Sequence, residues 1–196
     1  NYNPTIIAVT KTFSLDKIDP LIEYGHLHFG ENKVQEAIKK WQDIKQKKQN
    51  LKLHMIGKLQ TNKVKFAVGF FDYLHSVDNL KLAEKIASEQ QKKKSKPKIF
   101  LQVNVGNEHQ KSGVAIKNLK ELYNLSINDF NLDVIGLMCL PPDNKNPKEY
   151  FYKIKQLNDE LNLHELSMGM SNDYLYALDF KSTYLRIGSK IFGSRN

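Results

Sequence analysis

The chain has 196 residues, 40% of them hydrophobic, which is enough for one domain with a sizeable core and too little for two comfortable ones. Its one cysteine, Cys139, excludes an intrachain disulfide and argues against a thiolate metal cluster, while the absence of a membrane-spanning apolar run and of a signal-peptide pattern makes the cytoplasm the expected location. The formal charge of +9 would suit a nucleic-acid partner, but the lysines are scattered, their densest clusters (45–48 and 92–96) fall near predicted helix ends, and no aromatic residues interleave with them. A solvated basic surface, with no nucleic acid and no membrane as partner, is therefore expected.

Short apolar runs alternate with amphipathic segments along the chain. The stretch from Thr5 to Phe13 opens with Ile6, Ile7, Ala8 and Val9, a mostly β-branched run that reads as a buried parallel strand with Lys11 at its C-terminal end. Ser14 is placed to cap a helix running to about Tyr24, and Gly25 sits where a helix-ending glycine belongs. A second strand is predicted over 26–29 and a turn at Gly30, Glu31 and Asn32. The helix that follows runs toward Lys48, with Val34, Ala37, Ile38 and Trp41 at helical spacing. Residues 51–56 form a predicted third strand, 61–68 a helix and 73–77 a fourth strand. The helix over 79–93 carries Leu80, Leu82, Ala83, Ile86 and Ala87 on one side, and 98–103 has the composition of a buried fifth strand. A polar, glycine-containing loop (104–113) leads to a helix over about 116–125 and a sixth strand over 132–137. Pro141 and Pro142 open a loop before a helix over about 147–161; a seventh strand (164–167), a helix beginning near Ser171 and an eighth strand (184–187) complete the pattern.

About eight strands alternating with helices predict an α/β fold, a single-domain (β/α)8 barrel of the TIM type over residues 1–196. The rival is an open doubly wound sheet, whose dinucleotide-binding version is weakened because no Gly-x-Gly-x-x-Gly follows the first strand. No internal repeat, low-complexity segment or linker stands out. Residues 188–196 are too few for a full outer helix and nothing before Thr5 supplies one, so a partner or a lost N-terminal helix is expected to cover the junction of strands eight and one.

Ligands of α/β folds bind at the C-terminal ends of the strands, so Lys11 is a candidate. A stem against apolar neighbours would lower its pKa and make its amine a better nucleophile toward aldehydes; the alternative is a strand-end lysine that reaches solvent. In SMGMSND, Ser171 precedes the helix, and its hydroxyl with the first free amides would suit a phosphate; an ordinary N-cap is the rival. LRIGSKIFGSR places Arg186 at a strand end followed by Gly188 and Ser189: arginine can hold a ring nitrogen or an anion, and glycine allows a backbone close to a phosphate. The rival is a surface ion pair. Asn32 in FGENKVQE is placed to hydrogen-bond a ligand, with Glu31 and Glu36 readable as helix-start acids. Gln102 and Asn104 in LQVNVG and Met138 in GLMCLPP would face the mouth of a barrel. His54 and His75, inside strands, read as hydrogen-bonded core residues rather than bases. His26 and His28 alternate in a strand without a third ligand, so no metal is expected.

The ordered set AVTK, FGENKVQE, HMIGKLQTNK, LHSVDNLKLAEKI, LQVNVGNEHQKSGV, GLMCLPP, LSMGMSNDY and STYLRIGSKIFGSR resembles the pyridoxal phosphate homeostasis proteins, also called proline synthase co-transcribed proteins, over almost the whole chain. The resemblance implies a barrel similar to the N-terminal domain of alanine racemase, with pyridoxal 5′-phosphate (PLP) at its mouth. It implies that Lys11 forms the Schiff base and that Arg186 faces the pyridine nitrogen. Ser171, Gly188 and Ser189 would then cradle the phosphate, and Asn32, Asn104, Met138 and Ser167 line the pocket. A permanently protonated arginine would mute the ring as an electron sink. The chain departs from the family in the missing N-terminal helix, in Lys58 within the GKL turn, and in Thr10 where serine is common.

The function implied is intracellular PLP homeostasis: binding the cofactor and buffering or delivering it to PLP-dependent apoenzymes, without robust catalysis, as a monomer. The alternative is a PLP-dependent amino-acid racemase. Two-base racemisation needs an acid/base on each face of the substrate adduct, and in alanine racemase the second comes from another domain of the partner subunit. A basic RNA- or partner-binding barrel without cofactor would not need the ordered motifs.

Overall fold

The computed structural model describes residues 3–108, 112–142 and 146–193. Eight parallel strands close into a barrel in sequence order, β1 (Thr5–Val9), β2 (His28–Glu31), β3 (Lys52–Met55), β4 (Tyr73–Val77), β5 (Lys98–Val103), β6 (Asp133–Cys139), β7 (Glu165–Met170) and β8 (Tyr184–Ile187). Pairing of Ile7 with Arg186 and Ala8 with Ile187 closes β8 onto β1. The barrel, rather than an open sheet, is thus the architecture. Helices α1 (Leu15–Glu23), α2 (Val34–Lys47), α3 (Val64–Ala67), α4 (Leu80–Lys93), α5 (Ile116–Asn128), α6 (Pro147–Glu160), α7 (Tyr174–Asp179) and α8 (Ser189–Phe192) connect or follow the strands.

The longer helices lie where their apolar stripes can be buried on the barrel. Val34, Ala37 and Trp41 do this for α2, and Leu82, Ala83, Ile86 and Ala87 for α4. Asn79 caps α4 through its side chain, which accepts from the Leu82 amide at 2.9 Å. Gly25, at φ +96°, takes the left-handed conformation that ends α1. Most of the core lies between barrel and helices; a second cluster of Ile7, Tyr73, Phe100, Met138 and Tyr184 fills the inside of the barrel. Ile6, alternating with Ile7, points outward and is 44% exposed. Among the described residues, no helix is long and apolar enough to cross a membrane.

Several boundaries differ from the sequence expectation. Gly30 and Glu31 belong to β2, not to a turn. A Cβ on Gly30 would lie 2.8 Å from Ile7 Cγ2 and 3.0 Å from Ile56 Cδ1, so the glycine is the residue that fits inside the barrel there. The 61–68 segment is a 3-10 turn (Thr61–Lys63) followed by the single turn of α3, not one helix. Strand β7 runs on to Met170 through Gly169 at φ +89°, and α7 begins only at Tyr174. Asp173 makes the intervening turn, its Oδ1 accepting from the Met170 amide at 2.6 Å. Ser171 is therefore not the cap of that helix. The lysine clusters do sit at helix ends: Lys45 and Lys47 in the last turn of α2, Lys92 and Lys93 in that of α4.

Candidate functional site

The C-terminal ends of the strands open onto a cleft of about 360 Å³ lined by Lys11, Asn32, Ser171, Arg186, Gly188 and Ser189 among others. Six of the nine residues singled out from sequence thus share one cavity. Lys11 is half-buried there, just beyond β1. The residue before it is held firmly. Thr10 Oγ1 donates to Glu31 Oε1 at 2.7 Å, and Lys40 Nζ donates both to the Thr10 carbonyl at 2.7 Å and to the same Glu31 oxygen at 2.9 Å. Trp41 Nε1 adds a third donor to that oxygen at 2.9 Å. Glu31 is thus a buried anchor for the Lys11 turn, whereas Glu36 is an exposed first-turn acid paired with Lys33.

Arg186 is 4% exposed and reaches the cleft from β8. Its Nη1 donates to Ser167 Oγ at 2.6 Å and its Nη2 to the Cys139 carbonyl at 2.8 Å, which fixes the guanidinium plane. Burial lowers its pKa from the ordinary arginine value. Burial pushes the adjoining Cys139 thiol up to about 12, so it stays neutral and unreactive. Ser171 Oγ accepts from the Gly188 amide at 3.2 Å and from the Lys190 amide at 3.5 Å, joining the β7 turn to the start of α8. A Cβ on Gly188 would point over Val9 at 3.4 Å, into space that both residues line, so the glycine keeps this corner of the cleft open.

The other three residues lie elsewhere. Asn104 lines an adjoining depression of about 400 Å³, together with Lys58 and Gln102. Its amide is engaged by its own loop, donating to the Glu108 carbonyl at 2.9 Å and accepting from the Glu108 amide at 3.1 Å. Met138 is in the interior cluster, one inward-facing position below Leu140, which itself lines the cleft. Ser167 is fully buried beneath Arg186. Met138 and Ser167 therefore support the floor instead of facing the mouth, because the pleat puts them one layer too low.

His54 and His75 are hydrogen-bonded core residues, as their strand positions suggested: His54 Nδ1 and His75 Nε2 share a hydrogen at 2.9 Å. Among the described residues, no group of three or more His, Cys, Asp or Glu is placed to hold a metal ion. Sequence reasoning missed Thr12 and Asn172, which also line the cleft. It missed the Glu31 anchor too, whose partners lie up to 21 residues away in sequence and so leave no local signal.

An amine, a buried guanidinium and a serine-braced amide turn, gathered at the mouth of a closed barrel, define a protein of the alanine racemase N-terminal domain class. The family model with that description, alanine racemase, N-terminal domain, matches residues 1–196. More particularly, the chain belongs to the pyridoxal phosphate homeostasis protein family. It is 39% identical to the protein of that name from Aquifex aeolicus, with 97% of this chain and 86% of the relative covered. It is 31% identical to the one from Escherichia coli, covering 98% and 86%. Among solved structures it resembles PipY of Synechococcus elongatus with PLP bound, at TM-score 0.89 and 32% identity over 97% of this chain and 92% of that one. Alanine racemase from Corynebacterium glutamicum shares the fold at TM-score 0.76 and 16% identity, with 98% of this chain and 56% of that one covered.

Proposed function

We propose that this chain binds pyridoxal 5′-phosphate in the cleft and serves PLP homeostasis, buffering the cofactor or delivering it to PLP-dependent apoenzymes. The observation that carries the reading is the convergence of Lys11, Arg186 and the Ser171–Gly188 turn on one cavity, in a chain 32% identical to a relative solved with PLP bound. The residues fit the group. Lys11 would supply the amine for covalent attachment to the aldehyde, and Arg186, held in place by Ser167 and the Cys139 carbonyl, would hold the ring nitrogen. Ser171, Gly188 and Ser189 take the phosphate, mainly through backbone amides in the space that Gly188 keeps clear. Asn32 lines the wall, Asn104 shapes the adjoining loop, and Met138 and Ser167 hold the floor.

Bound PLP supplies an electron-withdrawing ring when its nitrogen is protonated. Arg186, a guanidinium that keeps its own proton, would hold that nitrogen as a hydrogen-bond donor and would not supply the proton. Among the described residues lining the cleft there is no carboxylate, histidine, tyrosine or cysteine. That supports a non-catalytic role over racemisation, which needs an acid/base on each face. We place the protein in the cytoplasm as a monomer, with no nucleic-acid or membrane partner.

The test is an absorbance titration with PLP, then borohydride reduction and peptide mass mapping. The expected result is one reduced adduct, on Lys11. An adduct on another lysine, or none, overturns the assignment.

A further inference from the structure

The barrel interior holds an unbroken file of polar side chains from floor to mouth. His28 Nδ1 and His54 Nε2 are 2.9 Å apart, His54 Nδ1 and His75 Nε2 2.9 Å, and His75 Nδ1 and Ser167 Oγ 2.9 Å. Arg186 Nη1 donates to the same Ser167 oxygen at 2.6 Å. His28 opens β2 at the floor and is half-buried; His54, His75 and Ser167 are fully buried. We propose that His28, His54, His75 and Ser167 form a directional hydrogen-bond relay, in which the protonation state of His28 at the floor sets how strongly Arg186 donates to the ligand at the mouth. The mouth ligand is PLP on the reading above, and the proposal rests on that reading for its second half only.

The direction of the relay follows from counting hydrogens. Burial lowers the pKa of both His54 and His75 well below the ordinary histidine value, and Arg186 lowers that of His75 further, so both rings are neutral at neutral pH. A neutral imidazole has one donor and one acceptor, and here both nitrogens of both rings are engaged. Only two arrangements satisfy the file. In the first, Ser167 donates to His75, His75 to His54, and His54 to His28. In the second, every bond is reversed and Ser167 accepts from both His75 and Arg186. A protonated His28 can only donate from Nδ1, which enforces the second. Reversal moves one hydrogen across each of the three bonds toward His28, and a proton taken from solvent in the cleft restores the Ser167 hydroxyl, so no alkoxide is left. Net, the file takes up one proton and His28 holds it. A serine oxygen that accepts twice and no longer donates to His75 binds Arg186 less strongly, because the cooperative polarisation of the first arrangement is lost. Arg186 then donates more strongly to the ligand.

Among the described residues, charged groups face both ends of the file; at the mouth Asp173 faces Arg186 and Cys139, and Glu165 faces Tyr184. His28 faces His26, Lys52 and Asp72, and its pKa is lowered by burial first and then by His26 and Lys52, with Asp72 opposing them. Lys45 and Lys52 are themselves paired with Asp72, at 2.8 and 3.7 Å. His54 stacks on Tyr73 at 4.2 Å, and His75 on Phe100 at 4.3 Å. Tyr184, 5.9 Å from His54 and 6.3 Å from His75, is held neutral by burial. Stacking fixes the rings in place, so that exchange of hydrogens, not ring rotation, is the available change.

The test is long-range 1H–15N NMR of the imidazoles, without ligand, from about pH 8 to about pH 5, across the range where histidines titrate. His54 and His75 are expected to exchange the hydrogen between Nδ1 and Nε2 with the same midpoint as His28 protonation, and His28→Gln is expected to abolish that exchange. If His54 and His75 keep their tautomers while His28 titrates, the relay is wrong. The second arm is the Kd for PLP over the same range. Binding by the unaltered protein should strengthen relative to His28→Gln by about fivefold on acidification, a coupling at the low end for linked sites. Ser167→Ala should remove that difference and keep the tautomer exchange among the three histidines. An identical pH dependence in the unaltered protein and His28→Gln overturns the coupling to the mouth. Failure of PLP to bind at any pH would fall on the cofactor assignment, and the tautomer arm would still decide the relay.

Discussion

At the scale of single residues, the cleft makes separable demands on Lys11 and Ser171. Lys11→Ala is expected to abolish the borohydride-trapped adduct, since among the described residues lining the cleft Lys11 carries the one side-chain amine, and to leave weak, reversible PLP binding through the Ser171–Gly188 turn. Difference spectra before and after reduction check this; a full adduct in the variant would move the attachment elsewhere. Ser171 acts through geometry. Its hydroxyl oxygen receives the Gly188 and Lys190 amides at 3.2 and 3.5 Å, so Ser171→Ala loosens the start of α8. Loss of a hydrogen bond worth about 1 kcal/mol should weaken PLP binding by about fivefold, read as Kd in an absorbance titration, with the fold intact.

At the scale of elements, two contacts hold the strand ends in register around the cleft. The first is the Glu31 oxygen, which receives Thr10, Lys40 and Trp41 and so joins β1, β2 and α2. Glu31→Ala leaves a buried indole N–H and a largely buried ammonium without their acceptor; the expected loss is about 3 kcal/mol in urea unfolding. An unchanged midpoint would show that water replaces the carboxylate at no cost. The second is the approach of Gly57 to Asn32, where an added Cβ would lie 2.3 Å from the Asn32 carbonyl oxygen and 2.7 Å from its Cα. Gly57→Ala must push apart the turns after β2 and β3. Destabilisation of about 1–3 kcal/mol is expected, together with weaker PLP binding because Asn32 lines the cleft. Stability lost without any change in Kd would place Asn32 outside the ligand's reach.

For the whole molecule, the buried histidines predict how stability depends on pH. His54 and His75 titrate well below their ordinary value of 6.5 in the folded chain, and His26 and His28 are also lowered, by burial first in every case. Below that value the unfolded chain binds protons that the native chain does not, so the stability these rings contribute is complete above it and is lost as the pH falls. Each ring contributes a slope of up to about 1.4 kcal/mol per pH unit. Urea midpoints measured between about pH 8 and about pH 5 should fall on acidification, and His54→Asn should reduce the slope. A flat profile would mean that these rings accept protons inside the barrel. The basic surface behaves differently. Lys45 and Lys93 hold the carbonyls of Phe70 and Val68, so part of the excess charge is used in closing loops between helices and strands.

Tyr73–Val77, Lys98–Val103 and Tyr184–Ile187 were legible residue for residue, because each is a short run of mainly aromatic and aliphatic residues bounded by turn residues, even with His75, Ser76, Gln102 and Arg186 inside it. The alternation of such runs with amphipathic segments determined the barrel, and the lysine and arginine at strand ends, with the serine–glycine turns and Asn32 after β2, determined six of the residues around the cleft. Gly30 and Glu31 were misread as a turn because a glycine beside a charge has turn chemistry locally; only closure of the barrel supplies Ile7 and Ile56 to crowd the one, and Lys40 and Trp41 to neutralise the other. Ser171 looked like a helix cap for the same reason, yet its partners are Gly188, just after β8, and Lys190 in α8, 17 and 19 residues on. The file from His28 to Arg186 is the extreme case, with its members on five strands and spans as long as 92 residues. Sequence determines which residues alternate inward on each strand, since the period of the pleat is local; which inward residues meet is decided by the stagger of one strand against another, which exists only once the barrel has closed.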